Sequence, residues 1–337
     1  MIPRVTASGQ GLLKSNHGQE AGIRVDDPAA FDRRAMPADA RETRWTAPDG
    51  HAIRRLDWGE PARPRGSLLF LPGRGDAYEK YLETLEHWRC RGWRVTALDW
   101  RGQAGSGRLG GDPLTGHVDD FARWVADLAE FWDEWSAGHA GPRVLAGHSM
   151  GGHLVLRAVA EGVVRPDALV LSAPMLGFLP TWLPLAIQRL WAEVMCRSGD
   201  PRRPAWKWSE KPGELPPGRI ALLTNDTERY ADELWWRERR RELAMGPGSW
   251  GWVAAALRSM ALLGRPGMLE SVQPPVLLLA TLRDRLVSPR AIRRAAARLP
   301  NAQLVAFGAE ARHELLREAD AVRDKALEAI DQFLDGV

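Results

Sequence analysis

Short apolar runs alternate with segments of helical periodicity along most of this chain. Ser67–Leu71 is one such run, continuous enough for a strand buried on both faces. Tyr78 to Arg91 follows with apolar residues at Tyr81, Leu82, Leu85 and Trp88, the spacing of one helix face. Arg94 to Trp100 predicts the next strand. Asp119 to Trp135 predicts a helix, with Phe121, Trp124, Val125, Leu128, Phe131, Trp132 and Trp135 in a stripe. Arg143 to Ala146, Met150 to Glu161 and Ala168 to Ser172 then predict strand, helix and strand. Upstream, Glu42 to Thr46 and His51 to Trp58 flank the turn-forming Ala47-Pro48-Asp49-Gly50 and predict a β-hairpin.

The rhythm breaks between about residues 177 and 268, where only Pro-punctuated helical pieces rich in Trp and Arg occur. It resumes with a strand at Pro275–Ala280, a helix at Pro289–Leu299, a strand at Leu304–Phe307 and a helix at Asp320–Leu334. Strand–helix alternation predicts an α/β fold with a mostly parallel central sheet flanked by helices. The division is then a core of residues 41–176 and 269–337, an inserted helical cap at 177–268, and a loosely ordered extension over 1–40.

Composition narrows the class. The 337 residues are 45% hydrophobic, ample for a core, and carry a net charge of only +3. Opposite charges are interspersed, which argues against a nucleic-acid partner. No apolar signal region stands at the N-terminus, and no run reaches the roughly 18 apolar residues of a membrane span. Cys90 and Cys196 are far apart and lack metal-ligand spacing, so reduced thiols and a cytoplasmic location are expected. Tryptophan is the outlier: of sixteen, half lie between residues 182 and 252.

The candidate chemistry centres on Gly147-His148-Ser149-Met150-Gly151. It stands between a predicted strand and a predicted helix, the setting of the nucleophile elbow of α/β-hydrolases. A serine hydroxyl needs a neighbouring base, and that base a group to hold it. In this architecture the order is Ser, then Asp or Glu, then His, on loops after late strands. Asp284 follows the strand at 275–280 and His313 follows that at 304–307, the last histidine in the chain. The oxyanion donors expected are the backbone N–H groups of Met150 and of Arg74, from the Pro72-Gly73-Arg74-Gly75 loop. His51, His87, His117, His148 and His153 read as structural or surface residues, with His148 turned away from Ser149. Gly105-x-Gly107-x-x-Gly110 has the form of a dinucleotide loop but opens no helix, and no Cys/His cluster offers a metal site.

Taken together, Gly147-His148-Ser149-Met150-Gly151-Gly152, Asp99-x-Arg101-Gly102-x-x-Gly105-Ser106, Asp284 and His313-Glu314 resemble the lysophospholipase and monoacylglycerol lipase-like branch of the α/β-hydrolases, the serine aminopeptidase-type hydrolases. The resemblance covers about residues 40 to 335. Pro72-Gly73 stands where monoacylglycerol lipases carry His-Gly, closer to the bacterial lysophospholipase pattern.

The expected activity is cofactor-free hydrolysis of a small ester or lipid through a Ser149–His313–Asp284 triad and an acyl-enzyme. Alternatives are an aminopeptidase on the same triad, or a non-catalytic receptor for hydrophobic ligands. Trp182, Trp191, Trp206, Trp208, Trp235, Trp236, Trp250 and Trp252 suit a cap over an acyl chain, and transient contact with a membrane surface. The run Arg237, Arg239, Arg240 and Arg241 reads as a solvated helix face, with an anionic head group as the alternative.

Overall fold

The computed structural model describes residues 31–337, apart from 60, 62, 181 and 208–216; Trp208 and most of the N-terminal extension therefore lie outside the described residues. Arg33–Val337 cluster as one compact unit.

Eight strands form one sheet: β1 (Ala40–Thr46), β2 (Ala52–Trp58), β3 (Gly66–Leu71), β4 (Trp93–Leu98), β5 (Arg143–His148), β6 (Ala168–Ser172), β7 (Val276–Thr281) and β8 (Ala302–Phe307). Their spatial order is β1-β2-β4-β3-β5-β6-β7-β8. The β1–β2 hairpin is antiparallel, registered from Ala40 opposite Trp58 to Thr46 opposite Ala52, and β2 joins β4 antiparallel. All later pairings are parallel. The central strands β3, β5, β6 and β7 are covered on both faces and accordingly carry near-continuous apolar runs.

The helices are α1 (Leu82–Cys90), α2 (Ala122–Ala137), α3 (Met150–Ala160), α4 (Leu185–Arg197), α5 (Pro217–Leu223), α6 (Thr227–Arg239), α7 (Trp250–Leu263), α8 (Pro289–Ala296) and α9 (Asp320–Leu334). Leu69, Leu145, Leu171 and Leu278 from the strands share one core with Trp124 and Phe131 of α2 and Leu154 of α3. Leu257 and Met260 of α7 join the same cluster. Helix α7 therefore packs on the core although it lies within the inserted segment. Two histidines fix it there: His117 Nδ1 is 2.7 Å from Ser249 Oγ, and His153 Nε2 is 2.6 Å from Ser259 Oγ. Ser249 also caps α7, accepting from the Trp252 N–H.

Several element boundaries shift by a few residues from the sequence reading, among them those of the first helix and of β4. The segment expected as one helix from Tyr78 opens as a 3-10 turn at Tyr78–Tyr81 before α1. Residues three apart eclipse in that tighter turn, so Tyr78 and Tyr81 both enter the core. Strand β4 stops at Leu98 rather than Trp100, and the next residue, the buried Asp99, accepts from Arg54 Nε at 2.7 Å.

Candidate active site

Strand β5 delivers Ser149 at the C-terminal edge of the sheet, where α/β folds open their ligand crevices. The turn from β5 into α3 is tight: Ser149 has φ 50° and ψ −114°. A left-handed φ is costly for a side-chain-bearing residue and has to be held by its surroundings. Ser149 N–H donates to the Ser172 carbonyl at 2.9 Å, and the Ser149 carbonyl accepts from Met175 and His153. Glycine is required on both sides. A Cβ at Gly147 would stand 2.7 Å from Gly151 backbone, and one at Gly151 would stand 2.3 Å from the Leu71 carbonyl oxygen.

The structure brings Ser149, His313 and Asp284 together from three loops. His313 Nε2 lies 2.9 Å from Ser149 Oγ, and His313 Nδ1 lies 2.7 Å from Asp284 Oδ2. The other Asp284 oxygen accepts from the backbone N–H groups of Leu286 at 2.8 Å and Val287 at 3.0 Å. Burial alone would push the Asp284 carboxyl up. His313 and those two N–H donors outweigh it and hold the group below the usual carboxylate range. Burial likewise pulls His313 down, but Asp284, with Glu314 and Asp76 behind it, raises the imidazole above its ordinary value.

The Gly73–Arg74 loop after β3 closes on the other side of the serine. A Cβ at Gly73 would lie 3.3 Å from Ser149 Cβ. The Gly73 N–H donates to Asp76 Oδ2 at 3.2 Å, and the Gly75 N–H to Gln103 Oε1 at 2.7 Å. Between them, the Arg74 N–H has no acceptor among the described residues, nor has the Met150 N–H in the first turn of α3. Gln103 belongs to the Asp99–Ser106 turn, so that turn holds the loop in place.

Beneath the site lies a buried charge cluster that the sequence pattern did not reveal. Lys80 Nζ lies 2.5 Å from Asp76, 2.7 Å from Glu314 and 2.9 Å from Glu233 of α6. Arg317 pairs with Glu314 and Glu233, and Arg237 with Glu233 at 2.6 Å. Burial pushes these carboxyls up, but the cations outweigh it: Glu314 and Glu233 are held low, and Asp76 falls to about 2. In the sequence the only signal was Glu314 beside His313; the partners come from three separate segments. His148 also differs from its reading. It lines the same cavity as Ser149, and its ring centroid is 4.8 Å from that of His313. Burial and the neighbouring His313 lower it to about 4, so it is neutral at physiological pH.

Asp76, His148 and Glu314 have ligand atoms close enough to hold a metal ion, but the Lys80 ammonium already occupies the space between the two carboxylates. Cys90 and Cys196 are both free thiols.

A cavity of about 910 Å³ opens above Ser149, with Trp191, Trp206, Trp250 and Trp252 in its walls. Trp182 instead projects into solvent at 78% exposure, and Trp235 and Trp236 pack edge to face on α6. None of the four arginines at 237 and 239–241 lines this cavity. Arg240 pairs with Glu42 and Glu79, and Arg239 stacks on Trp235. The arginines that do line it are Arg74, Arg219 and Arg285.

Residues 62–320 match the family described as serine aminopeptidase, S33. Lysophospholipase L2 of Escherichia coli strain K12 is 32% identical over 282 residues, 80% of each chain. Monoacylglycerol lipase of Mycolicibacterium smegmatis is 31% identical over 118 residues, 35% of this chain and 40% of that one. In fold, a soluble variant of monoglyceride lipase from Saccharomyces cerevisiae, solved with a substrate analog, matches with a TM-score of 0.71 at 18% identity, over 92% of this chain and 99% of that one. The chain belongs to the serine aminopeptidase S33 family and is an α/β-hydrolase of its lysophospholipase and monoacylglycerol lipase-like branch, a carboxylic ester hydrolase.

Proposed function

We propose that this protein hydrolyses lysophospholipids through a serine acyl-enzyme. The observation that carries the reading is the 2.9 Å contact between His313 Nε2 and Ser149 Oγ on the floor of a Trp-walled cavity. His313 takes the Ser149 proton as Oγ attacks the ester carbonyl. Asp284 fixes the tautomer and stabilises the imidazolium. The Met150 and Arg74 N–H groups hold the oxyanion. His313 then returns the proton to the leaving glycerol oxygen, and water repeats the sequence to release the fatty acid. Lysophospholipid is favoured by the likeness to lysophospholipase L2 across four-fifths of both chains.

The rim of the cavity fits a lipid surface. Ile187, Leu190, Trp191 and Val194 of α4 are solvent-exposed at helical spacing, near exposed Leu179 and Trp182. Such an apolar face beside the cavity is suited to rest in the interfacial layer of a membrane or micelle. Among the described residues no helix is long and apolar enough to cross a membrane.

An aminopeptidase would need free carboxylates in the cavity to bind the substrate's amine. Asp76 and Glu314 line it, but both are already ion-paired, Asp76 with Lys80 and Glu314 with Lys80 and Arg317. The test is turnover of p-nitrophenyl esters from short to long chain, of lysophosphatidylcholine and of aminoacyl p-nitroanilides, with Ser149→Ala in parallel. Ester and lysophospholipid turnover lost in Ser149→Ala supports the reading. Preference for the anilides would make it a peptidase. No turnover, with Ser149 unlabelled by a fluorophosphonate, would leave a ligand receptor.

A further inference from the structure

Arg74 places a partly buried cation in the Ser149 cavity with no acid within ion-pair distance among the described residues. Buried arginines elsewhere are matched: Arg54 with Glu79 and Asp99, Arg101 with Asp49 and Asp127, Arg317 with Glu314 and Glu233. Arg74 has no carboxylate within ion-pair distance among the described residues. Its Nη2 donates to the Gly246 carbonyl at 2.8 Å, while its Nε is buried without a partner. The nearest acid, Asp76, is already taken by Lys80, Tyr81 and the Gly73 N–H. Burial and the charge of Arg219 draw Arg74 down to about 9, against the pull of Asp76. An unbalanced cation in a partly desolvated site is costly to keep.

The setting is nonetheless built to hold that guanidinium still. It lies over the rings of Trp206 and Trp252, 5.2 and 5.0 Å from their centroids. Gly116 leaves it room, since a Cβ there would stand 3.0 Å from Nη2. Nη1 has no protein partner among the described residues, and Arg74 lines the cavity. Arginine in such a seat recognises the oxygens of a phosphate group.

We propose that Arg74 anchors the substrate's phosphodiester, one glycerol away from the ester that Ser149 attacks. The assignment rests on the lysophospholipid reading and names the residue that reads its head group. One residue then serves twice: its backbone N–H faces the oxyanion, and its side chain holds the phosphate. Binding the anion supplies the counter-charge that no described residue brings within ion-pair distance, so a phosphate-bearing substrate is preferred to a neutral monoacylglycerol of the same chain.

The experiment compares kcat/KM for a 1-acylglycerol and for the lysophosphatidylglycerol with the same acyl chain, in wild type, Arg74→Met and Arg74→Lys. The ratio between the two substrates is the readout. Wild type is expected to favour the phosphate. Arg74→Met should cut the ratio about 10- to 100-fold, mainly through KM, the loss typical of a charge-assisted hydrogen bond. Arg74→Lys should restore part of it. In wild type alone, the non-hydrolysable ether analogue bearing phosphate should inhibit at lower concentration than the plain alkylglycerol, whether or not the variants fold. An unchanged ratio in Arg74→Met, or equal inhibition by the two ethers, overturns the Arg74 assignment and leaves the hydrolase intact. Failure of wild type to cleave any ester, with Ser149 unlabelled, overturns the function beneath it as well.

Discussion

The Glu314 N–H donates to the Leu223 carbonyl at 2.8 Å, tying the loop that carries His313 to the end of helix α5 in the inserted segment. The tie is reinforced on both sides. Thr224 Oγ1 donates to the Arg317 carbonyl at 2.8 Å, and Asn225 N–H donates to Glu318 Oε2 at 2.9 Å. Glu318 also accepts from the Arg312 N–H at 2.6 Å. The insertion thus does more than wall the cavity, since it fixes the backbone around the imidazole.

Glu318→Ala tests this coupling. The carboxylate is fully buried, and its removal strands the Asn225 and Arg312 donors at a cost of about 1–3 kcal/mol of stability. Misplacement of His313 by a fraction of an ångström should lower kcat by about 10- to 100-fold. Urea unfolding gives the first number and steady-state kinetics the second. A variant that is destabilised yet keeps full kcat would show that the His313 loop holds itself.

In the proposed mechanism the pH profile follows from the Asp284–His313 pair. Burial lowers His313 but Asp284 raises it further, so the net shift is upward. The base acts only when neutral. Activity is therefore lost as pH falls through a pKa above the ordinary imidazole value of about 6.5. Asp284→Asn removes the raising partner and leaves the burial, so the acid limb of kcat/KM should move to lower pH. The rate itself should fall about 10⁴-fold, because the amide no longer fixes the tautomer. An acid limb unmoved in Asp284→Asn would mean that another group sets it.

How far the sequence foretold this arrangement depends on the range of the interactions. Ser149 with its glycines and the parallel strands were legible, because elbow geometry and two-sided burial act over a few neighbouring residues. That Asp284 and His313 would meet near Ser149 was legible from their places after late strands. Lys80, Glu233 and Glu314 were not, since three segments far apart in the chain converge on one buried point and no local pattern marks them. The arginine-rich end of α6 is deceptive for the same reason. Its side chains go to Glu42, Glu79, Glu233 and Trp235, while Arg74, hidden in a glycine-rich loop, reaches the cavity.

Lys80→Met should measure what that convergence is worth. The ammonium is the shared partner of Asp76, Glu233 and Glu314, all buried. Without it Asp76 loses its cation, and breaking a buried ion pair from one side costs about 3–5 kcal/mol. Arg237 and Arg317 still serve Glu233 and Glu314, so the low end of that range is expected. Denaturant unfolding of the two proteins decides it; a loss below about 1 kcal/mol would place Lys80 among the exchangeable surface-like pairs.

The last prediction concerns acyl length. A second, mostly apolar cavity of about 390 Å³ adjoins the first, and Phe178, Leu183 and Gln188 belong to the walls of both. Its lining is mostly apolar, Leu263 and Leu269 among it, beside Arg294 and an Arg298 already paired with Glu270; that apolar part suits the end of an acyl chain. Phe178 packs 6.0 Å from Trp252 between centroids, so its ring is part of the partition. Phe178→Ala should open a passage and move the chain-length optimum of p-nitrophenyl esters toward longer acids. Each added methylene that reaches the second cavity gains about 0.8 kcal/mol of burial, close to fourfold in kcat/KM per carbon. If the optimum stays where wild type has it while short esters are cleaved less well, the acyl chain runs elsewhere and Phe178 only supports the Trp252 wall.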